Sequence, residues 1–262
     1  MPAFGLIIIG DEILSGRRQD KHMTRTIELL AERGQSLSWC QYVGDEPARI
    51  TDALRQAMSS GDIVFSCGGI GATPDDHTRA CAAAAAGQDL ALHPEAKRLI
   101  QERIQDMARE TGQPYEPDRP DNLHRLNMGV FPANAQIIPN PYNKIPGFSL
   151  GDVHFLPGFP VMAHPMMAWV LDQRYGHLVP VQWQELSVYV YEAMESTLTP
   201  LMERVEAEHP GVKVFSLPSV DHPQRGRHIE LGVKGEPKAA QAAFVALQAG
   251  LSAFAGIRVS TT

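Results

Sequence analysis

Residues 4–9, "FGLIII", form an unbroken apolar run, the pattern of a strand buried on both faces. After the polar stretch "GDEILSGRRQD", apolar side chains return at Met23, Ile27, Leu30 and Ala31, a helical spacing over residues 22–33 that ends at Gly34. "SLSWCQYV" predicts the next strand, and Ile50, Ala53, Leu54, Ala57 and Met58 mark the next helix. "DIVFSC" reads as a third buried strand that runs into three glycines, followed by an alanine-rich helix from about 75 to 86 closed by Gly87. A further amphipathic helix is expected over 94–111, and 113–147, rich in Pro and Asn, is expected to form an irregular rim of the same domain. A strand pair at "GFSL" and "VHFLPG" follows, then a helix over about 160–175 in which the methionines of "VMAHPMMAW" face the core.

Strand and helix alternating at this pace mean crossover connections and a mainly parallel sheet covered on both faces. The fold expected is a three-layer α/β/α domain over residues 1–178. From 179 the pattern changes. "QELSVYVYEA" alternates as a half-buried strand, "STLTPLMERVEAEH" is a helix with a solvated acidic face, "VKVFSL" and "RHIELGVKG" are strands, and 237–254 is a last helix. Residues 179–262 are therefore expected to form a small β-α-β-β-α domain of the α+β class.

Composition narrows the function rather than the fold. The chain has 262 residues, 44% hydrophobic and 20% charged, an ordinary globular mix with enough length for a buried core. Its formal net charge of −7 argues against a general nucleic-acid binder, whose surface is usually basic. Cys40, Cys67 and Cys81 show no C-x-x-C spacing and read as reduced thiols. "AFGLIII" is too short and too soon followed by acids for a signal peptide, and "ACAAAAAG" is far short of a membrane span. A cytoplasmic protein without membrane or nucleic-acid partners is expected.

The chemistry concentrates in two loops. In an open parallel sheet, ligands collect at the carboxyl ends of the strands. Gly10-Asp11-Glu12 follows the first strand, and Gly68 to Thr78, within "CGGIGATPDDHTR", follows the third. Glycines let backbone N–H groups converge on phosphate oxygens, and a helix N-terminus adds positive potential. Thr73, Pro74 and Asp76 also fit a helix start, as N-cap, first helical residue and capping-box acid. Asp11, Glu12, Asp75 and Asp76 at one sheet edge would repel each other and any phosphate unless a divalent cation sits among them. The amides of "LPGFP", at Gly158, could hold a second phosphate, and His22 and His77 could reach the same edge. No P-loop, nucleophile-elbow or H-E-x-x-H pattern occurs.

"IGDEILSGRRQDKH", "VGDE", "CGGIGATPDDHTR", "NPYNKIPGF" and "LPGFP" together resemble the molybdopterin-binding-like (MoaB/Mog) superfamily, in this order across residues 4–178. Within it, the chain is most like the amino-terminal region of CinA proteins and the corresponding domain of eukaryotic FAD synthase. The resemblance implies a nucleotide-like ligand of the ADP-ribose, FAD or molybdopterin type. It implies metal-dependent pyrophosphate hydrolysis with Mg²⁺, Mn²⁺ or Co²⁺, or alternatively molybdopterin binding or adenylyl transfer, or nucleotide binding without catalysis. The family's motifs map onto Asp75, Asp76 and Thr78 and onto Gly10, Glu12 and Asp20. Asp75 and Asp76 would take the metal, and Glu12 or Asp20 would act as second acid or general base. Gly10, Asp11, Gly68, Gly69, Gly71, Thr73, Thr78, Asn140 and Gly158 would bind substrate. Ala72, His22 and Lys144 depart from the family's usual Pro, Asn and small residue. Self-association is expected, a dimer first and a trimer possible, and no deamidase activity.

Overall fold

A computed structural model of the chain describes residues 2–180 and 183–261. The chain divides into two compact units, residues 1–180 and 181–262.

The first unit is built on β1 (Phe4–Ile9), which is buried throughout because it lies inside the sheet with layers above and below. α1 (Asp11–Leu14) and α2 (His22–Ala31) lead to β2 (Leu37–Val43), and α3 (Pro47–Ser60) leads to β3 (Ile63–Cys67). α4 (Thr78–Ala86), β4 (Leu90–Leu92), α5 (Pro94–Thr111), α6 (Pro120–Arg125), β5 (Val130–Pro132) and β6 (Gln136–Ile138) follow. The unit closes with β7 (Gly147–Leu150), β8 (Val153–Leu156) and α7 (Pro160–Arg174). Six strands form one sheet in the order β2-β1-β3-β8-β7-β6. β2, β1, β3 and β8 are mutually parallel, while β7 is antiparallel to both of its neighbours.

Alternation along β1 assigns the layers. Leu6 and Ile8 pack with Leu29 and Leu30 of α2 and with Ala163, Met166 and Met167 of α7. Ile7 and Ile9 face the other way, onto Ile50 and Leu54 of α3 and Ala82 of α4. The three-layer, mainly parallel architecture expected from the sequence is the one observed. Phe131, Phe148 and Phe155 stack in series at 4.6 and 4.4 Å between centroids and anchor the far half of the sheet.

Three expectations need correction. α4 starts at Thr78, not near 75, and Thr73 and Pro74 do not cap it. Residues 73–76 close a turn of their own, with the Asp76 N–H on the Thr73 carbonyl at 3.0 Å. The helix starts only where the Thr78 N–H meets the Gly69 carbonyl and the Thr78 hydroxyl meets the Gly68 carbonyl, each at 3.0 Å. The Pro- and Asn-rich stretch is also less irregular than its composition suggests, since β5 pairs with β4 and β6 extends the main sheet. The third correction lies in the second unit.

There β9 (Gln184–Tyr191), α8 (Glu195–Glu208), β10 (Lys213–His222), β11 (Gly226–Gly235) and α9 (Pro237–Leu251) are followed by β12 (Arg258–Thr261). The four strands form an antiparallel sheet in the order β10-β11-β9-β12. Val190, Leu231 and Val233 of its core face pack on Leu198 of α8 and Leu247 of α9. The last helix ends at Leu251, not 254, and a fourth strand pairs with β9 where the sequence suggested none. Four residues with one apolar side chain, Val259, give too little alternation to announce an edge strand.

No helix among the described residues is long and apolar enough to cross a membrane. Cys40, Cys67 and Cys81 are free thiols, the last two buried.

Candidate functional site

The parallel register brings the ends of four strands to one edge. Ile9 lies opposite Val43, Ile8 opposite Cys67, and Cys67 opposite Leu156. The chain then leaves these strands through Gly10, Gly44, Gly68 and the Pro157-Gly158 pair. In the loop after β3, two successive glycines are obligatory. Gly68 has φ +112°, and a Cβ there would lie 2.2 Å from the Ile9 carbonyl oxygen. Gly69 has φ +68°, and its Cβ would lie 2.2 Å from the Thr78 hydroxyl. Only glycine allows the loop after β3 to press against β1 and α4 in this way.

The 68–78 loop has a definite polar arrangement. The Gly68 N–H continues the sheet onto the Leu156 carbonyl at 3.0 Å. The Thr73 N–H donates to the Asp76 carboxylate at 2.8 Å, and the Thr73 hydroxyl donates to the same oxygen. Asp76 therefore does bond back to Thr73 as a capping-box acid would, but within an isolated turn. Between these fixed points the N–H groups of Gly69, Ile70, Gly71 and Ala72 have no partner among the described residues. Four successive free amides beside a helix start offer hydrogen bonds suited to an anion. Asp75 is exposed, and the nearby Thr73 hydroxyl holds its carboxyl below the ordinary value.

The first loop is organised differently, since its acids satisfy backbone groups. The Asp11 N–H donates to the Asp45 carboxylate at 2.9 Å and the Asp45 N–H to the Asp11 carboxylate at 3.2 Å. The Asp20 carboxylate accepts the N–H groups of His22 (2.7 Å) and Met23 (3.1 Å), which open α2, and the Tyr42 hydroxyl at 3.0 Å. Burial, then this Asp20 bond, pushes the Tyr42 phenol up to about 12. Below this loop lies a cavity of about 290 Å³ whose lining includes Glu12, Arg18, Lys21, His22, Cys67 and Gly158. His22 is buried, with Nε2 3.1 Å from the Gly158 carbonyl and Nδ1 without a partner among the described residues. Burial lowers its pKa, so the ring is neutral and Nε2 carries the hydrogen that the carbonyl accepts.

The expected residues fall into three groups. Gly68, Gly69, Gly71, Thr73, Asp75, Asp76 and Thr78 belong to one loop, and Glu12, Asp20 and Gly158 line the adjacent cavity. Gly10 and Asp11 bond instead to the end of β2: the Gly10 N–H bonds the Val43 carbonyl at 3.0 Å, and Asp11 pairs with Asp45. Asn140 stands apart. Its side chain is consumed by its own turn, donating to the Asn143 side-chain oxygen (2.8 Å) and the Ile145 carbonyl (2.9 Å) and accepting from the Tyr142 N–H (3.0 Å). Its role in this structure is to shape the bend in which Lys144 takes φ +63°.

Acids do gather at the edge. Burial raises the pKa of Asp45, and the charges of Asp11, Glu12 and Asp75 raise it further. Asp45 was absent from the candidate residues although it stands in the motif "VGDE". Arg79, at the end of "CGGIGATPDDHTR", was missed as well: it donates to the Gly71 carbonyl at 2.7 Å. Among the described residues no group of three or more His, Cys, Asp or Glu side chains is arranged to hold a metal ion. Asp76 is committed to Thr73, and Asp11 and Asp45 are committed to each other's backbone.

Comparison with known proteins places this geometry in context. Residues 5–177 match the family described as "Probable molybdopterin binding domain". The chain is 30% identical over 237 residues to a protein of Pyrobaculum calidifontis, covering 87% of each. It is 30% identical over 220 residues to a CinA-like protein of Geobacter metallireducens, covering 80% of this chain and 50% of that protein. The chain thus spans about half the length of that CinA-like relative. A crystal structure of the protein CinA with unknown function from Thermoplasma acidophilum matches with TM-score 0.53 and 29% identity, covering 64% of this chain and 95% of that one.

Proposed function

The chain belongs to the probable molybdopterin binding domain family, of the MoaB/Mog type with CinA-like relatives, and from this we propose that it binds a molybdopterin-type or related nucleotide-like small molecule through a phosphate group held by the loop after β3. The observation that carries this reading is the run of free amides from Gly69 to Ala72. Each N–H would donate to a phosphate oxygen, with the start of α4 adding its partial positive charge. The adjacent cavity, lined by Glu12, His22 and Gly158, would take the ring system or second phosphate. The test is calorimetric titration of the full chain with molybdopterin, its adenylate, ADP-ribose and FAD. Micromolar or tighter binding of a phosphate-bearing ligand, lost in Gly69→Ala, supports the proposal; no binding by any of the four overturns it.

A second reading, hydrolysis of a pyrophosphate bond in ADP-ribose or FAD, is favoured by Asp45, on which the charges of Asp11, Glu12 and the exposed Asp75 all act. Glu12 would then be the general base, since its carboxylate has no partner among the described residues, whereas Asp20 is occupied three times. A divalent cation, Mg²⁺, Mn²⁺ or Co²⁺, would stabilise charge on the phosphates in this reading. The described acids form no ready set of three ligands for such a cation. Product analysis with each cation and with chelator distinguishes the two readings: nucleoside monophosphate release, abolished in Glu12→Gln, establishes hydrolysis. A homo-oligomer, dimer or trimer, belongs to the same proposal and is tested by light scattering.

A further inference from the structure

Arg79, the second residue of α4, does not point into solvent like the other helix-surface arginines. Its guanidinium donates to the Gly71 carbonyl at 2.7 Å and to the Asn127 carbonyl. Arg49, Arg55 and Arg98 on other helices rest on carboxylates. No ion pair to Arg79 occurs among the described residues. Only the field of Asp76 acts on it favourably, and burial holds its pKa below the ordinary arginine value. A guanidinium that meets only carbonyl oxygens keeps its net charge, and that charge sits against the Gly71 carbonyl, within the run of four free amides.

The same contacts orient the loop. The His124 ring nitrogen Nε2 lies 2.9 Å from the Ala72 carbonyl, and the Asn127 side chain reaches His124 Nδ1 at 3.4 Å. The segment from α6 to residue 129 thus braces residues 71 and 72 together with Arg79. Across a trans peptide, C=O and the following N–H point in opposite directions. Drawing the Gly71 carbonyl onto Arg79 therefore turns the Ala72 N–H outward. Drawing the Ala72 carbonyl onto His124 turns the Thr73 N–H away from His124, where Asp76 takes it at 2.8 Å.

We infer that Arg79, rather than a divalent cation, supplies the positive charge at the glycine loop and holds its amides in position for a phosphate-class anion. Arg79 is a positioning residue, bonded to the Gly71 carbonyl of the loop and to the Asn127 carbonyl of the bracing segment. This inference deepens the proposed function and rests on it for the identity of the natural ligand, so the probe is inorganic pyrophosphate.

The experiment is a ¹⁵N amide titration of the full chain with pyrophosphate, in chelator and again with Mg²⁺. The amides of Gly69–Ala72 shift in chelator, with an affinity that Mg²⁺ leaves within about twofold. Arg79→Ala weakens binding roughly tenfold or more, as for a lost charged hydrogen-bonding group, and added guanidinium ion restores part of it. Arg79→Lys does not rescue, because an ammonium lacks the planar fork that spans two carbonyls. His124→Ala, which removes the brace and leaves the Arg79 charge, speeds hydrogen exchange at Ala72 and Thr73. Loop shifts that require Mg²⁺, an Arg79→Ala affinity equal to wild type, or unchanged exchange in His124→Ala would overturn the inference. Pyrophosphate binding in chelator without binding of any pterin or nucleotide ligand contradicts the proposed function alone. Absence of loop shifts under both conditions overturns both.

Discussion

The loops after β1 and β3 leave adjacent parallel strands at the same edge, and both are glycine-bearing and acidic. They use those residues in opposite ways. After β1, carboxylates are spent on backbone amides, with Asp11 and Asp45 exchanging bonds and Asp20 holding the first turn of α2. After β3, one carboxylate closes a turn, and four consecutive amides are left free behind it. An acid beside a glycine is therefore no sign of a metal ligand by itself. What identifies the binding element is which backbone groups stay unsatisfied once the side chains have been assigned.

The sharpest way to break this contrast is Gly69→Ala. A Cβ at φ +68° and 2.2 Å from the Thr78 hydroxyl combines backbone strain with a clash at the helix start. A loss of about 2–4 kcal/mol in chemical denaturation is expected, with ligand binding abolished. Stability within 0.5 kcal/mol of wild type, on the order of a neutral surface change, would mean that the loop relaxes and its conformation is not built in. Next in size is Thr78→Val, which keeps the shape and leaves the Gly68 carbonyl without its hydroxyl partner. The expected cost is about 1–2 kcal/mol, measured the same way, with binding weakened in parallel.

Asp20→Ala probes the other loop. Losing its bonds to the first N–H groups of α2 should cost about 1 kcal/mol of stability, as for a helix cap. Pyrophosphate affinity at the glycine loop should stay within about twofold, because Asp20 serves α2 and not that loop. A larger fall in affinity than in stability would return Asp20 to the binding chemistry.

The contrast between the loops also marks how far the sequence could be read. The layers were legible because β1, β3 and the helices between them carry unmistakable periodicity, and strand order put both loops on one edge. The start of α4 was not legible: Thr73, Pro74 and Asp76 satisfy every local rule for a helix start, and the tertiary bonds of Thr78 to Gly68 and Gly69 override them. Asp45 and Arg79 were missed because their roles depend on partners 34 and 48 residues away, Asp11 and Asn127. Asn140 closes its own turn with its side chain, and a turn-forming Asn and a ligand-binding Asn look alike in "NPYNK".

The smallest effect concerns pH. His154 lies in β8, away from both loops, with its ring between the Ser149 hydroxyl (2.8 Å) and the Tyr175 hydroxyl (2.7 Å). Burial lowers its pKa to about 3 from 6.5. The unfolded chain then binds the proton that the folded chain refuses. Stability is full above 6.5 and declines as pH falls toward 3. Between pH 7 and 6 the decline from this residue is about 0.7 kcal/mol, and the buried, lowered His22 adds in the same direction. Thermal unfolding at the two pH values, compared with His154→Asn, checks the sign. A wild-type midpoint that rises on acidification would contradict it.

The central claim is that the free amides of residues 69–72 receive the ligand's anionic group. Its most direct measurement is a ¹⁵N amide map of the full chain with saturating molybdopterin or ADP-ribose. The account predicts the largest shifts and slowed exchange at Gly69, Ile70, Gly71 and Ala72, and smaller ones at Glu12 and Gly158. Saturable binding that leaves those four amides unmoved, with its shifts centred elsewhere, would contradict it.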